Sequence, residues 1–142
     1  MRPALALLAM PALLAGCSES TGVQPEDLAG TWTATTFEFQ SVATRALRVD
    51  VIDLGFSLTF VIESSGAVTT TITGPGTNDT DTGTLTVTGS NFTLTSSGDT
   101  STGTISRDGD TLTLNVQTGA EFDFDDDGSE EPATITVILQ KD

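Results

Sequence analysis

The sequence contains no histidine and no tyrosine, and it has a single cysteine among its 142 residues. A Ser-His-Asp or Cys-His nucleophile cannot be built without histidine, and zinc sites usually draw on histidine and cysteine. A lone cysteine cannot form a disulfide within the chain, so the core and the backbone hydrogen bonds must stabilise the fold. We therefore expect neither an enzyme nor a required cofactor.

Basic side chains are also scarce, with 5 Lys and Arg against 20 Asp and Glu, which gives a net charge of −15. Nucleic-acid binding needs clustered cations that displace phosphate counterions, and the sequence has no such cluster. It has no polybasic membrane-binding segment for the same reason. We attribute most of the acidity to solubility and treat one acidic run as a candidate cation site.

The first residues, 1–16, combine one positive charge with a short apolar stretch, which is typical of a secretory signal peptide. Leu14-Ala15-Gly16-Cys17 resembles the lipobox of bacterial lipoproteins. The resemblance implies cleavage before Cys17, a diacylglyceryl group on its thiol and often a further acyl chain on its amine, which together hold a protein to a membrane. Ser18 implies an outer-membrane destination in the cell envelope. The alternative is an ordinary secretory signal with a chance cysteine.

The rest of the chain divides into two parts. Residues 17–27 are polar, with Gly22 and Pro25, and they predict a flexible tether. Residues 28–142 have the length of one domain, which is large enough to bury a proper core.

Apolar and polar residues alternate through this domain, and threonine is abundant. A period of two with β-branched residues is typical of antiparallel strands that have one buried face and one face in water. Turn sequences such as Ser65-Gly66 and Asp108-Gly109 separate the segments. The pattern predicts strands at about residues 30–40, 55–63, 67–73, 82–88, 91–96, 102–107, 110–118 and 133–140.

Strands joined by such short turns form consecutive hairpins, and a meander with one apolar face exposes its edges unless it closes. We therefore predict an all-β fold, an eight-stranded antiparallel up-and-down barrel. Trp32 lies at an even position, whereas Phe37 and Phe39 lie at odd positions, so a bulge or sharp bend between them would turn all three inward. Gly74 to Gly83 is predicted to be a polar loop, and Val42 to Leu54 is a crossing loop, a short helix or a further strand.

Gly30-Thr31-Trp32, at the start of the first strand, resembles the Gly-x-Trp motif of the lipocalin and lipocalin-like families. The resemblance implies that Trp32 plugs one end of the barrel, that Gly30 lets the chain turn into it, and that Lys141 packs over the Trp. It also implies a cup for a small apolar ligand. The inward residues that we assign to ligand binding are Phe56, Leu58, Phe60, Phe92 and Leu94. The alternative is that these side chains fill the barrel.

An acidic run near the end of the chain contains the pattern Asp-x-Asp-x-Asp-Gly, which is the core of calcium loops. Alternate carboxylates on a tight loop converge on one hard cation. Glu131 falls where a further ligand often acts, although Thr134 replaces the closing Glu of such loops. The candidate Ca²⁺ ligands are Asp123, Asp125, Asp127 and Glu131. The alternative is an acidic loop in solvent.

Two functions therefore remain open. The first is a lipid-anchored barrel of the cell envelope that binds a small apolar ligand. The second is a structural or interaction lipoprotein with a packed core and an acidic loop that is a candidate calcium site. The size of the interior cavity separates the two functions, because ligand pockets measure about 300–1,000 Å³.

Overall fold

The computed structural model describes residues 23–142. The predictions for the signal peptide, for Cys17 and for the first part of the tether lie outside these residues. Among the described residues, no helix is long and apolar enough to cross a membrane. The elements are a 3₁₀-helix η1 (Pro25–Leu28) and strands β1 (Gly30–Ser41), β2 (Arg48–Asp50), β3 (Ser57–Ile62), β4 (Ala67–Gly74), β5 (Thr77–Thr88), β6 (Asn91–Ser96), β7 (Asp99–Asp108), β8 (Thr111–Phe122) and β9 (Glu131–Lys141).

The strands form one antiparallel sheet that closes on itself. β1 pairs with β3 on one side and with β9 on the other, and β3 to β9 each pair with the next strand along the chain. β2 lies outside this ring, so the barrel has eight strands. Closure pairs the edges that an open meander would expose. The prediction of an all-β, eight-stranded antiparallel barrel is confirmed.

β1 bends at the position where the change of parity predicted a bulge. Its register with β9 shifts between Ala34 and Thr36. Trp32 before the shift is fully buried, and Phe37 after it packs against the core. Trp32 and Phe37 therefore both face inward from a single strand, as predicted. Phe39, the third aromatic residue of the prediction, is half-buried and its ring contacts that of Phe37.

The segment from Val42 to Leu54 is a crossing connection that contains the short strand β2. Phe39 of β1 lies opposite Val49 of β2. Oδ1 of Asp50 accepts hydrogen bonds from the backbone N–H groups of Phe37 and Ile52, both at 3.0 Å. β2 therefore covers the edge of β1 that extends beyond its pairing with β3.

The prediction of a polar loop from Gly74 to Gly83 is wrong. β4 runs to Gly74 and β5 begins at Thr77, so Pro75 and Gly76 alone form the turn. This hairpin reaches an end of the barrel where Asp79 is exposed to water. Polar side chains can therefore occupy inward positions there, and the apolar alternation that marks a strand disappears. β7 and β8 extend beyond their predicted bounds in the same way.

The two ends of the barrel differ, and we call the end that contains Trp32 the closed end. The Trp32 indole Nε1–H donates to the Leu28 carbonyl at 2.7 Å, which fixes η1 across this end. Leu112 and Leu139 are fully buried, as Trp32 and Leu28 are. The predicted tether extended to residue 27, whereas Pro25 to Asp27 belong to η1 and hence to the domain.

We predict that Gly103→Ala destabilises the barrel by about 1–3 kcal/mol, the usual cost of forcing an extra methyl group into a packed position. A Cβ at Gly103 of β7 would overlap the backbone carbonyl of Asn115 on β8. Thr104→Ser on the exposed face of the same strand is the control, with a change within about 0.5 kcal/mol. Urea unfolding followed by circular dichroism measures both. An unchanged midpoint for Gly103→Ala would show that the close approach of β7 and β8 is not required.

Candidate functional site

The barrel interior is filled near the closed end and hollow towards the opposite end, which we call the open end. A void of only about 20 Å³ lies between Phe60, Phe92 and Leu112. Further from Trp32 the interior widens into a cavity of about 370 Å³. Rim residues of this cavity, such as Asp79 and Asp99, are exposed to solvent, so the cavity opens to water.

Most of the cavity wall is apolar and comes from inward residues on strands all around the barrel. These residues are Phe37, Leu58, Phe60, Ile72, Phe92, Leu94, Leu114, Val116, Ile135 and Val137. Four of the five residues assigned to ligand binding from the sequence, all except Phe56, are among them. The alternation that identified those four also marks Ile72, Leu114 and Ile135 as inward.

Phe56 does not line the cavity. β3 begins at Ser57, so Phe56 lies before this strand, although it continues the apolar alternation of the strand in the sequence. Its ring lies against Gly74 at the end of β4, where a Cβ would collide with it. The assignment of Phe56 to the ligand site therefore does not match its position, because parity alone does not show where a strand begins.

The rim of the cavity is polar on the side formed by β4 to β7. Along β5, the inward positions from the closed end to the open end are Val87, Leu85, Gly83, Asp81 and Asp79. The inward series therefore changes from apolar to acidic within one strand. The other polar residues of the rim are Thr70, Ser96, Ser97, Asp99 and Ser101. This rim was not predicted from the sequence, because the acidic part of β5 lacks apolar alternation and was expected to be a loop.

Asp81 is the half-buried carboxylate of this rim. Its oxygens accept hydrogen bonds from the Ser96 hydroxyl, from the Ser97 hydroxyl at 2.7 Å and from the Thr82 N–H at 2.9 Å. The bonds from Ser96 and Ser97 lower the pKa of Asp81 below its usual value, and they outweigh desolvation, which raises it. Asp81 is therefore negatively charged at neutral pH.

Arg107 and Lys141 both lie over the Trp32 ring at the closed end. The Arg107 guanidinium carbon is 5.5 Å from the centroid of the Trp32 ring, and Lys141 Nζ is 5.8 Å from it. Arg107 also donates to the carbonyls of Asp27 and Gly109. Such contacts place positive charge on the electron-rich faces of the indole. Lys141 lies where the family resemblance implied, whereas Arg107 was not predicted.

The connection between β8 and β9 brings the four candidate metal ligands together. One carboxylate oxygen from each of Asp123, Asp125, Asp127 and Glu131 can be chosen so that all lie within 4.8 Å of one another. The Asp123 carboxylate also accepts from the Gly128 N–H at 2.9 Å. Desolvation raises the pKa of Asp125, and the charges of Asp127, Glu131 and Asp123 add to that rise, although a hydrogen bond from the Asp127 N–H opposes it. A bound cation would relieve this repulsion.

A row of four phenylalanines connects the cavity with this acidic loop. The ring centroids of Phe37 and Phe39 are 5.0 Å apart, those of Phe39 and Phe122 are 4.7 Å apart, and those of Phe122 and Phe124 are 5.0 Å apart. Phe37 lines the cavity, and Phe124 lies in the sequence between Asp123 and Asp125, two of the candidate metal ligands. The two candidate sites therefore lie at the same end of the barrel.

Comparison with known proteins adds no functional assignment to this geometry. No protein family, no curated protein and no solved structure matches the chain. The cavity, its acidic rim and the acidic loop are therefore the features that point to a function.

Proposed function

We propose that this protein is a lipid-anchored barrel of the bacterial cell envelope that binds a small apolar ligand in the cavity at its open end. The observation that carries the proposal is the cavity itself, whose volume of about 370 Å³ lies within the usual range for ligand pockets. A filled interior would instead have favoured a purely structural lipoprotein.

The distribution of side-chain size supports this choice. At the closed end, Trp32, Leu112 and Leu139 fill the space between the strands. At the open end, equivalent inward positions carry small or polar residues such as Ser96 and Ser101, which leave the apolar wall below them uncovered. Apolar surface gains about 25 cal/mol per Å² when it leaves water, so an apolar ligand would be stabilised in contact with this wall.

The lipid anchor is supported by the sequence from Leu14 to Cys17 and by the way the domain begins. Pro25 starts η1, which crosses the closed end of the barrel. A lipid on Cys17 would therefore be attached through a short segment to the closed end. In this arrangement the closed end faces the membrane and the mouth of the cavity faces away from it.

The acidic loop supports a second function, the binding of Ca²⁺. The observation in its favour is that the four residues chosen from the sequence pattern are the ones whose carboxylates converge. Ca²⁺ takes six to eight oxygen ligands, so backbone carbonyls or water would complete a site of this kind. An acidic loop that only contributes to solubility is the competing interpretation.

We predict that the purified protein binds a neutral apolar dye such as N-phenyl-1-naphthylamine, with a rise in dye fluorescence. Leu94→Trp should weaken this binding by about tenfold or more, because the larger ring occupies part of the cavity. Val61→Trp is the matched control, since Val61 is 42% exposed on the outer face of β3, and it should bind the dye as the natural protein does. Failure of the natural protein to bind, or equal binding by Leu94→Trp, would contradict the proposal.

The lipid anchor predicts that cells grown with radioactive palmitate label the natural protein and that the label sediments with membranes. Cys17→Ser should abolish the label, because the acylated thiol is lost. Ser18→Ala should be labelled normally and serves as the control. If Cys17→Ser still carries palmitate, the lipid is not on this cysteine.

Calcium binding predicts a calorimetric signal with a Kd of about 0.1–1 mM, the range of extracellular calcium modules. Ca²⁺ at 100 times the Kd should stabilise the folded state by about 2.7 kcal/mol and raise the melting temperature accordingly. Asp125→Asn with Asp127→Asn should remove both effects. Asp108→Asn with Asp110→Asn changes the net charge equally at the closed end and should leave them intact. No heat and no thermal shift at millimolar Ca²⁺ would contradict the site.

A further inference from the structure

The cavity combines an apolar interior with an acidic mouth. The acidic mouth constrains the charge of the ligand. Asp79 and Asp81 on β5 and Asp99 at the start of β7 all contribute to the lining at the mouth. Acidic residues on the outside of a barrel need no explanation beyond solubility. Asp79 and Asp81, in contrast, occupy inward positions of β5. Deeper in the barrel, the inward positions of the same strand hold the apolar residues Leu85 and Val87.

No basic side chain compensates these charges among the described residues that line the cavity. Arg48 forms an ion pair with Glu38 at 3.3 Å, and Arg107 and Lys141 lie over Trp32 at the closed end. Arg45 is exposed in the connection between β1 and β2 and lines a separate surface pocket, not the cavity. The interior is therefore polarised along its axis, with positive charge behind the plug and negative charge at the mouth. A positively charged group is favoured at this mouth and an anion is repelled from it.

The arrangement of the rim fits an organic cation better than a bare metal ion. Within residues 23–142, the carboxylates that converge closely enough for one metal ion are those of Asp123, Asp125, Asp127 and Glu131 where β8 connects to β9. The rim carboxylates are not part of this group. Hydroxyls of Ser96 and Ser97 already bond to Asp81, so this carboxylate is held in place and keeps its charge. Such a rim suits a cationic group whose position is fixed by an apolar body in the cavity.

We infer that the ligand is a cationic amphiphile: an apolar chain or ring system that carries one ammonium group. The apolar part would contact Phe60, Phe92 and Leu94, and the ammonium group would lie at the mouth beside Asp79, Asp81 and Asp99. An ammonium donates hydrogen bonds to carboxylates, and at an open mouth it keeps much of its hydration, which limits the desolvation cost. This inference rests on the proposed function of the cavity and specifies its ligand class.

The test compares three probes with the same apolar chain: octylamine, octanol and octanoate. At pH 7, each displaces N-phenyl-1-naphthylamine from the purified protein, and the Kd values follow from the competition. We expect octylamine to bind at least about tenfold more tightly than octanoate, with octanol between them. The difference between the octylamine and octanoate Kd values should become smaller at high salt, because screening weakens interactions between exposed charges.

We expect the ratio of the octanoate Kd to the octylamine Kd to fall close to one in the triple rim variant, which combines Asp79→Asn, Asp81→Asn and Asp99→Asn. Glu63→Gln, Asp108→Asn and Asp110→Asn together remove the same number of charges at the closed end, and this control should keep the natural ratio. If the triple rim variant does not fold, Asp79→Asn with Asp99→Asn, which alters two exposed side chains, should still reduce the ratio.

The outcomes separate the ligand class from the function. Displacement by all three probes with similar Kd values would overturn the cationic ligand and leave apolar binding standing. The cationic ligand would also be overturned if a folded rim variant kept the Kd ratio of the natural protein, because the preference for octylamine would then not come from these carboxylates. Failure of the dye and of every octyl probe to bind would overturn both proposals.

Discussion

The structure depends on the double pairing of β1. This strand pairs with β3 over its first residues and with β9 along most of its length, so the first and last strands of the barrel meet. Without that pairing, the sheet would have two open edges. The bulge between Ala34 and Thr36 lets the same strand place Trp32 in the closed end and Phe37 in the cavity wall. Closure, plug and cavity therefore all depend on one strand.

The sequence predicts this barrel well wherever the inward face is dry. Leu58, Phe60 and Ile62 of β3 alternate with residues outside the core, and the prediction of that strand is confirmed within two residues at its start and one at its end. Apolar alternation does not mark the outer half of β5, because Asp79 and Asp81 face a mouth that water enters. Alternation of apolar and polar residues appears only where the inward face of a strand is buried. It therefore cannot reveal a strand whose inward side chains are in contact with water.

The candidate sites divide in a similar way between local and distant contacts. The four candidate metal ligands around the β8–β9 connection lie within a short stretch of chain, so their spacing alone predicted that they meet, and they do. The contact of Arg107 with Trp32 joins the end of β7 to the start of β1. No local pattern indicates such a contact, since it depends on how far the barrel strands are staggered. The acidic rim was missed for a different reason, because the outer part of β5 lacks the apolar alternation that marks a strand.

The interior also shows a division between stability and function. The chain has no intrachain disulfide, so the packed half around Leu28, Trp32 and Leu139 must stabilise the barrel. Apolar residues at Asp81, Ser96 and Ser101 would extend this core into the open half and bury more apolar surface there. The sequence forgoes that stabilisation at several inward positions on three adjacent strands. Proteins commonly give up stability at sites of function, so this division is the one expected if the hollow half is the binding site that we propose.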